Sequence, residues 1–265
     1  MLGKALTWSG RGVAVPQMSG GIETERRGNL QERFLNWAGR SVARSYASSM
    51  LKMDAQHHVS LPGGPKIIAA NHPTTTDPFA MMGLVSEPIS MLITESCFKI
   101  PVLGRFLQGA GHVKVAHGHG RAALEEGKRL LHAGRTVGIF PEGSLSPLGG
   151  GVCLAHTGVA RLALSTGAPV IPVGIYVQRE FIRFVKTEIA GQAEGIGWYL
   201  DGPYVVTIGE PMYFEGDVED RDHVRSVLEQ IMQRILQLSN ESARRMSAAQ
   251  TRVSGMCPQA GCVGA

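Results

Sequence analysis

Residues 71–79 (NHPTTTDPF) place a histidine and an aspartate five positions apart, directly after the apolar run 67–70. A carboxylate beside an imidazole can accept a hydrogen bond from one ring nitrogen and stabilise the imidazolium form. The other nitrogen is then left to take a proton from a hydroxyl group. The spacing alone is weak evidence, because the chain has nine histidines and such a pair arises by accident about 0.2 times. His72 and Asp77 are therefore candidates for a general base and its orienting acid that need a second motif in support.

That second motif is GIFPEGS, residues 138–144, at the end of another apolar run. A glutamate is an unusual choice for a tight Pro-Glu-Gly turn. The carboxylate of Glu142 could accept hydrogen bonds there from the hydroxyl groups of a substrate. Gly143 would permit a positive φ and a close approach of its backbone N–H to that substrate. The alternative for Glu142 is an exposed loop charge.

Structural roles are the alternatives for the first motif. His72 could be a hydrogen-bonded histidine of the core, and Asp77 could cap a helix that begins at Pro78. Capping would also hold the carboxylate in place, so this role of Asp77 is compatible with catalysis.

The 265-residue chain is long enough for one domain with tails. With 43% hydrophobic and 18% charged residues, its composition is that of an ordinary soluble protein. The formal charge of +4 fits an anionic partner such as a membrane surface, a nucleic acid or an acidic small molecule. Nucleic acid is the weaker choice, because only 6% of the residues are aromatic and no basic run is interleaved with them.

We expect neither a membrane-spanning segment nor a secretory signal. The most apolar stretch, 79–93, is interrupted by Glu87 and Pro88, and the first residues contain no sustained apolar run. The four cysteines form no Cys-x-x-Cys pair, which indicates reduced thiols. Together these features predict a cytoplasmic protein, and if it acts at a membrane, we expect it to lie peripherally on the inner face.

The predicted organisation has three parts: a flexible segment at 1–28, a domain at 29–247 and a disordered tail at 248–265. The domain begins with an amphipathic helix at 29–54, in which apolar residues recur at three- to five-residue steps. The simpler interpretation packs this helix on the core. The alternative lays it in the headgroup layer of a membrane, with its arginines near anionic lipid.

Strand-like and helical patterns alternate through the domain. Strands are predicted at 59–61, 67–70, 89–94, 112–115, 137–140, 170–176 and 204–208, and helices at 78–85, 103–108, 121–132, 158–166 and 222–246. This alternation predicts a single α/β domain with a mixed, mostly parallel sheet flanked by helices. Such sheets bind substrates at the carboxyl ends of their strands, and His72 and Glu142 both follow a strand directly.

Several segments, in this order, resemble the glycerolipid acyltransferase family, whose best-known members are the bacterial 1-acylglycerol-3-phosphate acyltransferases. They are Asn71-His72 with Asp77, the Phe-Pro-Glu-Gly of 140–143 and the Val-Ile-Pro-Val of 170–173. The Ile-Gly-Glu-Pro of 208–211 resembles the closing strand of the family. Each segment alone would be unremarkable, but their order and separations make the resemblance strong.

The resemblance implies an O-acyltransferase with a glycerol-phosphate-acyltransferase-like fold. It would move a fatty acyl group from acyl-CoA or acyl carrier protein to a hydroxyl of a lysophospholipid or related glycerolipid. His72 would be the general base and Asp77 its supporting acid. Membrane-surface lipids would be partners, and no cofactor is implied beyond the thioester co-substrate. The substrate-binding residues implied in the two motifs are Asn71, Glu142, Gly143 and Ser144.

Three positions depart from relatives that bind a glycerol phosphate. Those relatives often carry Arg at the positions of Leu145 and His117, and Lys at that of His156. Arginine binds phosphate through a permanently charged, bidentate fork, which neither leucine nor neutral histidine reproduces. Lys114 and Arg121 could compensate, so we include them with His117 as candidates for acceptor binding. A sugar, polyol, amino-lipid or simple alcohol is the alternative acceptor.

Two functions of other classes stay open. The first is a catalytically idle acyl- or lipid-binding protein on the same scaffold. The second is a metal-dependent hydrolase that uses the histidines of residues 111–120 (GHVKVAHGHG). Zinc sites need three or four ligands with supporting partners, and no Asp or Cys accompanies these histidines. We therefore expect no metal, and a loop over the acceptor pocket instead.

Overall fold

A computed structural model describes residues 30–147, 151–152, 154–189 and 192–255. The predicted flexible segment at 1–28 lies outside these residues, as do residues 256–265. Among the described residues, no helix combines the length and the apolarity needed to cross a bilayer.

In the described part of the chain, seven strands form the central sheet, in the order β1-β9-β6-β2-β5-β3-β4. The strands are β1 (Asp54–His57), β2 (Ile67–Ala70), β3 (Ile89–Thr94), β4 (Val113–Val115), β5 (Thr136–Ile139), β6 (Val170–Val177) and β9 (Tyr204–Ile208). Strands β6, β2, β5, β3 and β4 are mutually parallel. Strand β9 runs antiparallel to β6, and β1 is parallel to β9. The predicted fold class, a mixed and mostly parallel α/β sheet, is confirmed.

Seven α-helices flank the sheet in the described part of the chain. They are α1 (Leu30–Ser49), α2 (Asp77–Leu84), α3 (Glu95–Lys99), α4 (Leu103–Gly109), α5 (Gly120–His132), α6 (Gly158–Thr166) and α7 (Arg221–Gly255). Alternate residues of the strands pack on opposite sides of the sheet. In β2, Ile68 and Ala70 join a core with residues of α1 and α2, whereas Ile67 and Ala69 join a second core beneath α5, α6 and α7.

This topology brings both sequence motifs to one edge of the sheet. Because β2 and β5 are parallel neighbours, the residues that follow them emerge side by side at the edge where these strands end. We call this the carboxyl edge and the opposite one the amino edge. Strand β9 is antiparallel to β6, so its first residue, Tyr204, also lies at the carboxyl edge.

Helix α1 presents only part of its predicted apolar set to the core. Its buried face consists of Asn36, Ala43 and Ala47. Four large apolar side chains of the helix are exposed instead: Leu30, Phe34, Trp37 and Val42. The buried residues of the helix are small because neighbouring elements approach it closely: a Cβ added at Gly39 would lie 2.6 Å from Phe106. The helix therefore packs on the core as the simpler interpretation predicted, but with only part of the apolar set, including Tyr46.

Other elements also differ from the predictions, among them helix α3 (Glu95–Lys99), which was not predicted. The first strand is β1 (Asp54–His57), where no strand was predicted, and 59–61 is not a strand. Strands β7 (Ile182–Ile189) and β8 (Gln192–Tyr199) form an unpredicted antiparallel hairpin. Helix α7 continues to Gly255, so the predicted tail boundary at 248 lies inside a helix. The reason for this last difference is that residues 247–251 (SAAQT) contain no proline or glycine to end the helix.

Candidate active site

Asn71, the residue that follows β2, ties this strand to β6. Its side-chain amide donates to the carbonyl of Ile175 at 2.9 Å and accepts from the N–H of the same residue at 2.7 Å. The side chain is buried, and protein atoms engage both ends of its amide. These contacts give Asn71 a structural role, and its binding of substrate stays a prediction.

His72 and Asp77 are in direct contact, as their spacing predicted. The Nδ1 atom of His72 lies 2.9 Å from Oδ2 of Asp77. Asp77 is the first residue of α2 and is fully buried, while Thr76 occupies the N-cap position. The alternative that Asp77 caps the helix is therefore wrong: its carboxylate points back to the loop that carries His72.

The carboxylate of Asp77 is held by neutral donors in addition to His72. Oδ2 accepts from the backbone N–H of Thr74 at 2.8 Å. Oδ1 accepts from the Thr74 hydroxyl at 2.5 Å and from the Tyr204 hydroxyl at 2.7 Å. Burial and the neighbouring Asp77 carboxylate raise the pKa of Tyr204 well above its usual value, so this hydroxyl stays protonated. Among the described residues, no lysine or arginine forms an ion pair with Asp77.

The other ring nitrogen of His72 is available for chemistry. The described residues place no hydrogen-bond partner on its Nε2 atom, and the side chain is 17% exposed. One face of the imidazole stacks on Phe140, with ring centroids 4.0 Å apart and planes inclined by 12°. A ring fixed by a carboxylate on one side and by an aromatic face can take up a proton at its open nitrogen.

Glu142 joins the two motifs. Its Oε1 atom accepts from the backbone N–H of His72 at 3.1 Å and from the Ser146 hydroxyl at 2.6 Å. Ser146 also donates its own backbone N–H to the carbonyl of His72 at 2.7 Å. Glu142 is only 2% exposed, so it is not the exposed loop charge that was its alternative. Ser146 is a site residue that sequence reasoning missed, although it follows Glu142 by only four positions.

The turn after Glu142 has the backbone geometry predicted for Gly143. Its φ is +66°, a region that residues with a Cβ rarely adopt. A Cβ at this position would lie 2.9 Å from the ring of His156, which therefore borders the turn. Gly143 and Ser144 are both exposed, so this turn presents backbone and hydroxyl groups to solvent beside His72.

The three basic residues that were predicted to bind the acceptor lie along the same edge of the sheet but away from His72. Lys114 and His117 belong to β4 and the loop that follows it, and β4 is separated from β2 by β5 and β3. Lys114 and Arg121 are exposed, and Lys114 lies 3.9 Å from Glu95. No contact joins these three candidates to His72, Asp77 or Glu142 in the part of the chain that is described. The described residues also contain no group of three or more His, Cys, Asp or Glu that could hold a metal ion.

The unpredicted hairpin borders the site next to Leu145. Strand β8 is fixed to the first motif, because the N–H of Thr75 donates to the carbonyl of Gly197 at 2.8 Å. The N–H of Gly197 donates in return to the Thr75 hydroxyl at 3.2 Å. A Cβ at Gly197 would lie 3.5 Å from Leu145 and 3.0 Å from Phe184, so these side chains surround that glycine. The position of the family arginine is therefore occupied by an apolar contact with the hairpin.

Comparisons with known proteins show what the chain resembles. Residues 51–176 match the family model described as Acyltransferase. A 1-acyl-sn-glycerol-3-phosphate acyltransferase of Pseudomonas aeruginosa is 27% identical over 84% of this chain and 78% of its own length. The protein of that name from Borreliella burgdorferi is 32% identical over 46% of this chain, which spans only 49% of that relative. This match confirms the predicted resemblance to the glycerolipid acyltransferase family over residues 51–176.

Two further similarities concern an acceptor and the fold. A lyso-ornithine lipid O-acyltransferase of Pseudomonas aeruginosa is 28% identical over 61% of this chain and 60% of its own length. The crystal structure of the 1-acyl-sn-glycerophosphate acyltransferase PlsC from Thermotoga maritima superposes with a TM-score of 0.54, at 23% identity over 78% of both chains. This second similarity shows that the two proteins share a fold.

Proposed function

We propose that this protein transfers a fatty acyl group from an acyl thioester to a lipid hydroxyl, with His72 as the general base. The observation that carries the proposal is the geometry of His72. Its Nδ1 atom is hydrogen-bonded to a buried carboxylate 2.9 Å away, and its Nε2 atom has no hydrogen-bond partner among the described residues. The match of residues 51–176 to the Acyltransferase family model supports the reaction class.

The reaction needs one proton transfer in each direction. Nε2 of His72 takes the proton of the acceptor hydroxyl as its oxygen attacks the carbonyl carbon of the thioester. The tetrahedral intermediate then expels the thiolate, which receives the proton back from the imidazolium. Asp77 stabilises the imidazolium between these events. Since a thioester is already activated, no covalent acyl-enzyme is required.

Glu142 and Ser146 act on this reaction through the backbone. They hold the N–H and the carbonyl of His72 between them, so the imidazole enters the site from a fixed position. Such rigidity favours catalysis because the base must lie within hydrogen-bond reach of the proton that it removes. The exposed Gly143 and Ser144 are then the groups of this motif that would meet the acceptor.

The acceptor is a lysophospholipid or a related glycerolipid, and the donor is acyl-CoA or acyl carrier protein. One observation favours a second candidate, an acceptor without phosphate. Leu145 stands where phosphate-binding relatives carry arginine, and it packs against the β8 hairpin. The similarity to a lyso-ornithine lipid O-acyltransferase supports an amino-lipid as this alternative.

Helix α1 supports a position on the membrane surface. Its exposed Phe34 and Trp37 lie together, with ring centroids 6.0 Å apart, and Leu30 is 81% exposed. Aromatic and aliphatic side chains on one helix face, with Arg33 near them, match the composition of helices that lie in the lipid headgroup layer. We propose that the protein binds the cytoplasmic face of a membrane in this way, where its lipid acceptor resides.

The decisive test offers the purified protein a labelled acyl donor with a panel of lipid acceptors. Acyl-CoA and acyl carrier protein are compared as donors, and lysophosphatidic acid, lyso-ornithine lipid and a monoacylglycerol as acceptors. We expect an acylated lipid product and release of one thiol for each product molecule. Absence of product with every pair would contradict the proposal and favour an idle acyl-binding protein. Thiol release that is independent of the acceptor would favour a hydrolase.

A further inference from the structure

Tyr204 connects the last strand of the sheet to the candidate catalytic acid. It is the first residue of β9, and its side chain is fully buried. Its hydroxyl donates to Oδ1 of Asp77 at 2.7 Å, although the two residues are 127 positions apart in the chain. Neither the mechanism above nor the sequence motifs assign this hydroxyl a role.

We propose that Tyr204 is a positioning residue for acyl transfer, whose hydroxyl sets the orientation and the proton affinity of the His72–Asp77 pair. This inference rests on the proposed function for its effect on turnover. The hydrogen bond itself can be tested without any activity.

The two carboxylate oxygens of Asp77 have different hydrogen-bond partners, and this difference supports the proposed role of Tyr204. Oδ2 of Asp77 faces His72 and the N–H of Thr74, so this oxygen carries the contact with the imidazole. Oδ1 is held by two hydroxyl groups, those of Thr74 and Tyr204. Thr74 is part of the same loop as His72. Tyr204 is the hydroxyl donor that ties the carboxylate to the sheet, and it prevents the carboxylate from turning away from His72.

The groups around the pair come from four elements. Glu142 approaches the backbone of His72 from the loop after β5. Tyr199 of β8 lies edge to face with Tyr204, with ring centroids 6.0 Å apart. Tyr46 of α1 donates its hydroxyl to the carbonyl of Tyr199 at 2.8 Å. Within this described set, Tyr204 is the tyrosine that donates to Asp77.

A donor to a carboxylate stabilises the ionised form of that carboxylate. The form of the pair that is active as a base has Asp77 ionised and His72 neutral, and there the carboxylate charge is least compensated. Removal of the Tyr204 hydroxyl destabilises this form more than the form with imidazolium. The pair should then hold its proton more strongly, and the acidic limb of the pH–kcat profile should move to higher pH.

The test compares Tyr204→Phe with Tyr199→Phe. Both tyrosines are fully buried, but the Tyr199 hydroxyl donates to the carbonyl of Pro203 at 2.8 Å and not to Asp77. The second variant therefore controls for the loss of a buried hydroxyl group. We expect Tyr204→Phe to lower kcat about tenfold, the size expected for one hydrogen bond to a charged group. The midpoint of the acidic limb of the pH–kcat profile should move to higher pH by about half to one unit. The KM for the thioester should be unchanged.

An NMR measurement separates this proposal from the proposed function. The Nδ1 proton of His72 should give a low-field resonance that is lost in His72→Ala. We expect Tyr204→Phe to shift this resonance and Tyr199→Phe to leave it in place, whether or not any acyl acceptor is turned over. The proposal is overturned if the resonance is unchanged in Tyr204→Phe. It is equally overturned if both variants change kcat and the acidic limb alike, since that result would indicate a packing effect only.

Discussion

His72 and His58 each lie against a carboxylate, but at opposite edges of the sheet. His72 contacts Asp77 at 2.9 Å, and His58, just after β1, contacts Glu241 of α7 at 3.0 Å. The second ring nitrogen distinguishes them. Nδ1 of His58 accepts from Arg234 at 3.3 Å, so both nitrogens of this ring are engaged, whereas Nε2 of His72 has no partner among the described residues.

The carboxylates at the two edges also differ in their partners, which are cations at one edge and hydrogen-bond donors at the other. At the amino edge, Glu87 pairs with Lys66, and Arg135 pairs with Glu32. At the carboxyl edge, Asp77 is held by an amide, two hydroxyl groups and a histidine. A carboxylate that is already neutralised by a fixed cation has little charge left to stabilise a new imidazolium. A similar pair of residues can therefore be structural at one edge and suited to proton transfer at the other.

The largest effect should follow from neutralising Asp77. Asp77→Asn removes the charge that stabilises protonated His72, and we expect acyl transfer to slow by about two to four orders of magnitude. The matched control is Glu241→Gln, which removes the carboxylate charge of the other pair and should leave turnover unchanged. Steady-state thiol release measures both. Unchanged turnover of Asp77→Asn would remove Asp77 from the mechanism.

A third histidine, His112, sharpens the comparison because it has no carboxylate partner among the described residues. It lies just before β4, where its Nδ1 atom accepts from the N–H of Met91 at 3.1 Å. Burial, assisted by the charge of Arg135, lowers the pKa of His112 from 6.5 to about 4. The unfolded chain therefore binds more protons than the folded one between these values, so stability falls as the pH decreases through that window.

The expected loss between pH 6.5 and 4 is about 3 kcal/mol in the free energy of unfolding. His112→Asn keeps an acceptor for the backbone N–H of Met91 but does not titrate. The difference in pH dependence between the wild type and this variant, measured by urea denaturation, isolates the contribution of His112. Parallel pH profiles for the two proteins would contradict the assignment of a buried, neutral imidazole.

The ion pair at the amino edge should matter for stability and not for turnover. Lys66 is only 3% exposed in its side chain and lies 2.6 Å from Glu87. The pKa of Glu87 is subject to burial, which raises it, but hydrogen bonds led by that from Lys66 hold it below its usual range. Glu87→Gln leaves the ammonium group buried without its carboxylate. We expect the free energy of unfolding to fall by about 2 kcal/mol. This is less than the loss for a fully buried pair, because Glu87 is partly exposed.

An exposed ion pair provides the control for this variant. Glu125 contacts Lys128 at 3.0 Å on the surface of α5. Glu125→Gln should cost less than about 0.5 kcal/mol, and neither variant should change kcat. Equal stability losses in Glu87→Gln and Glu125→Gln would show that burial of Lys66 adds nothing to the pair.

The smallest effect should come from adding a cation to the carboxyl edge. Leu145→Arg restores the residue that phosphate-binding relatives often carry. We expect the ratio of kcat/KM for phosphate-bearing over phosphate-free acceptors to rise roughly tenfold, as for one charge-assisted hydrogen bond. Competition between two labelled acceptors measures this ratio directly. An unchanged ranking would place phosphate recognition elsewhere in the site.

The features that were predicted correctly involve residues close to one another in the sequence. A loop of five residues after a buried strand brings His72 to Asp77, and a tight turn sets the positive φ of Gly143. Tyr204 could not be predicted, because its contact with Asp77 depends on the antiparallel course of β9 across 127 residues. The buried face of α1 was missed for another reason. The helix packs closely through small residues such as Ala43, while periodicity counts only large apolar side chains.

We propose that His72 removes the proton of the acceptor, whereas His58, which also lies beside a carboxylate, does not. The direct test is acceptor-dependent thiol release by His72→Ala and His58→Ala, each compared with the wild type. We predict that His72→Ala loses acceptor-dependent release, whereas His58→Ala retains it. Full acceptor-dependent release by His72→Ala would contradict the account.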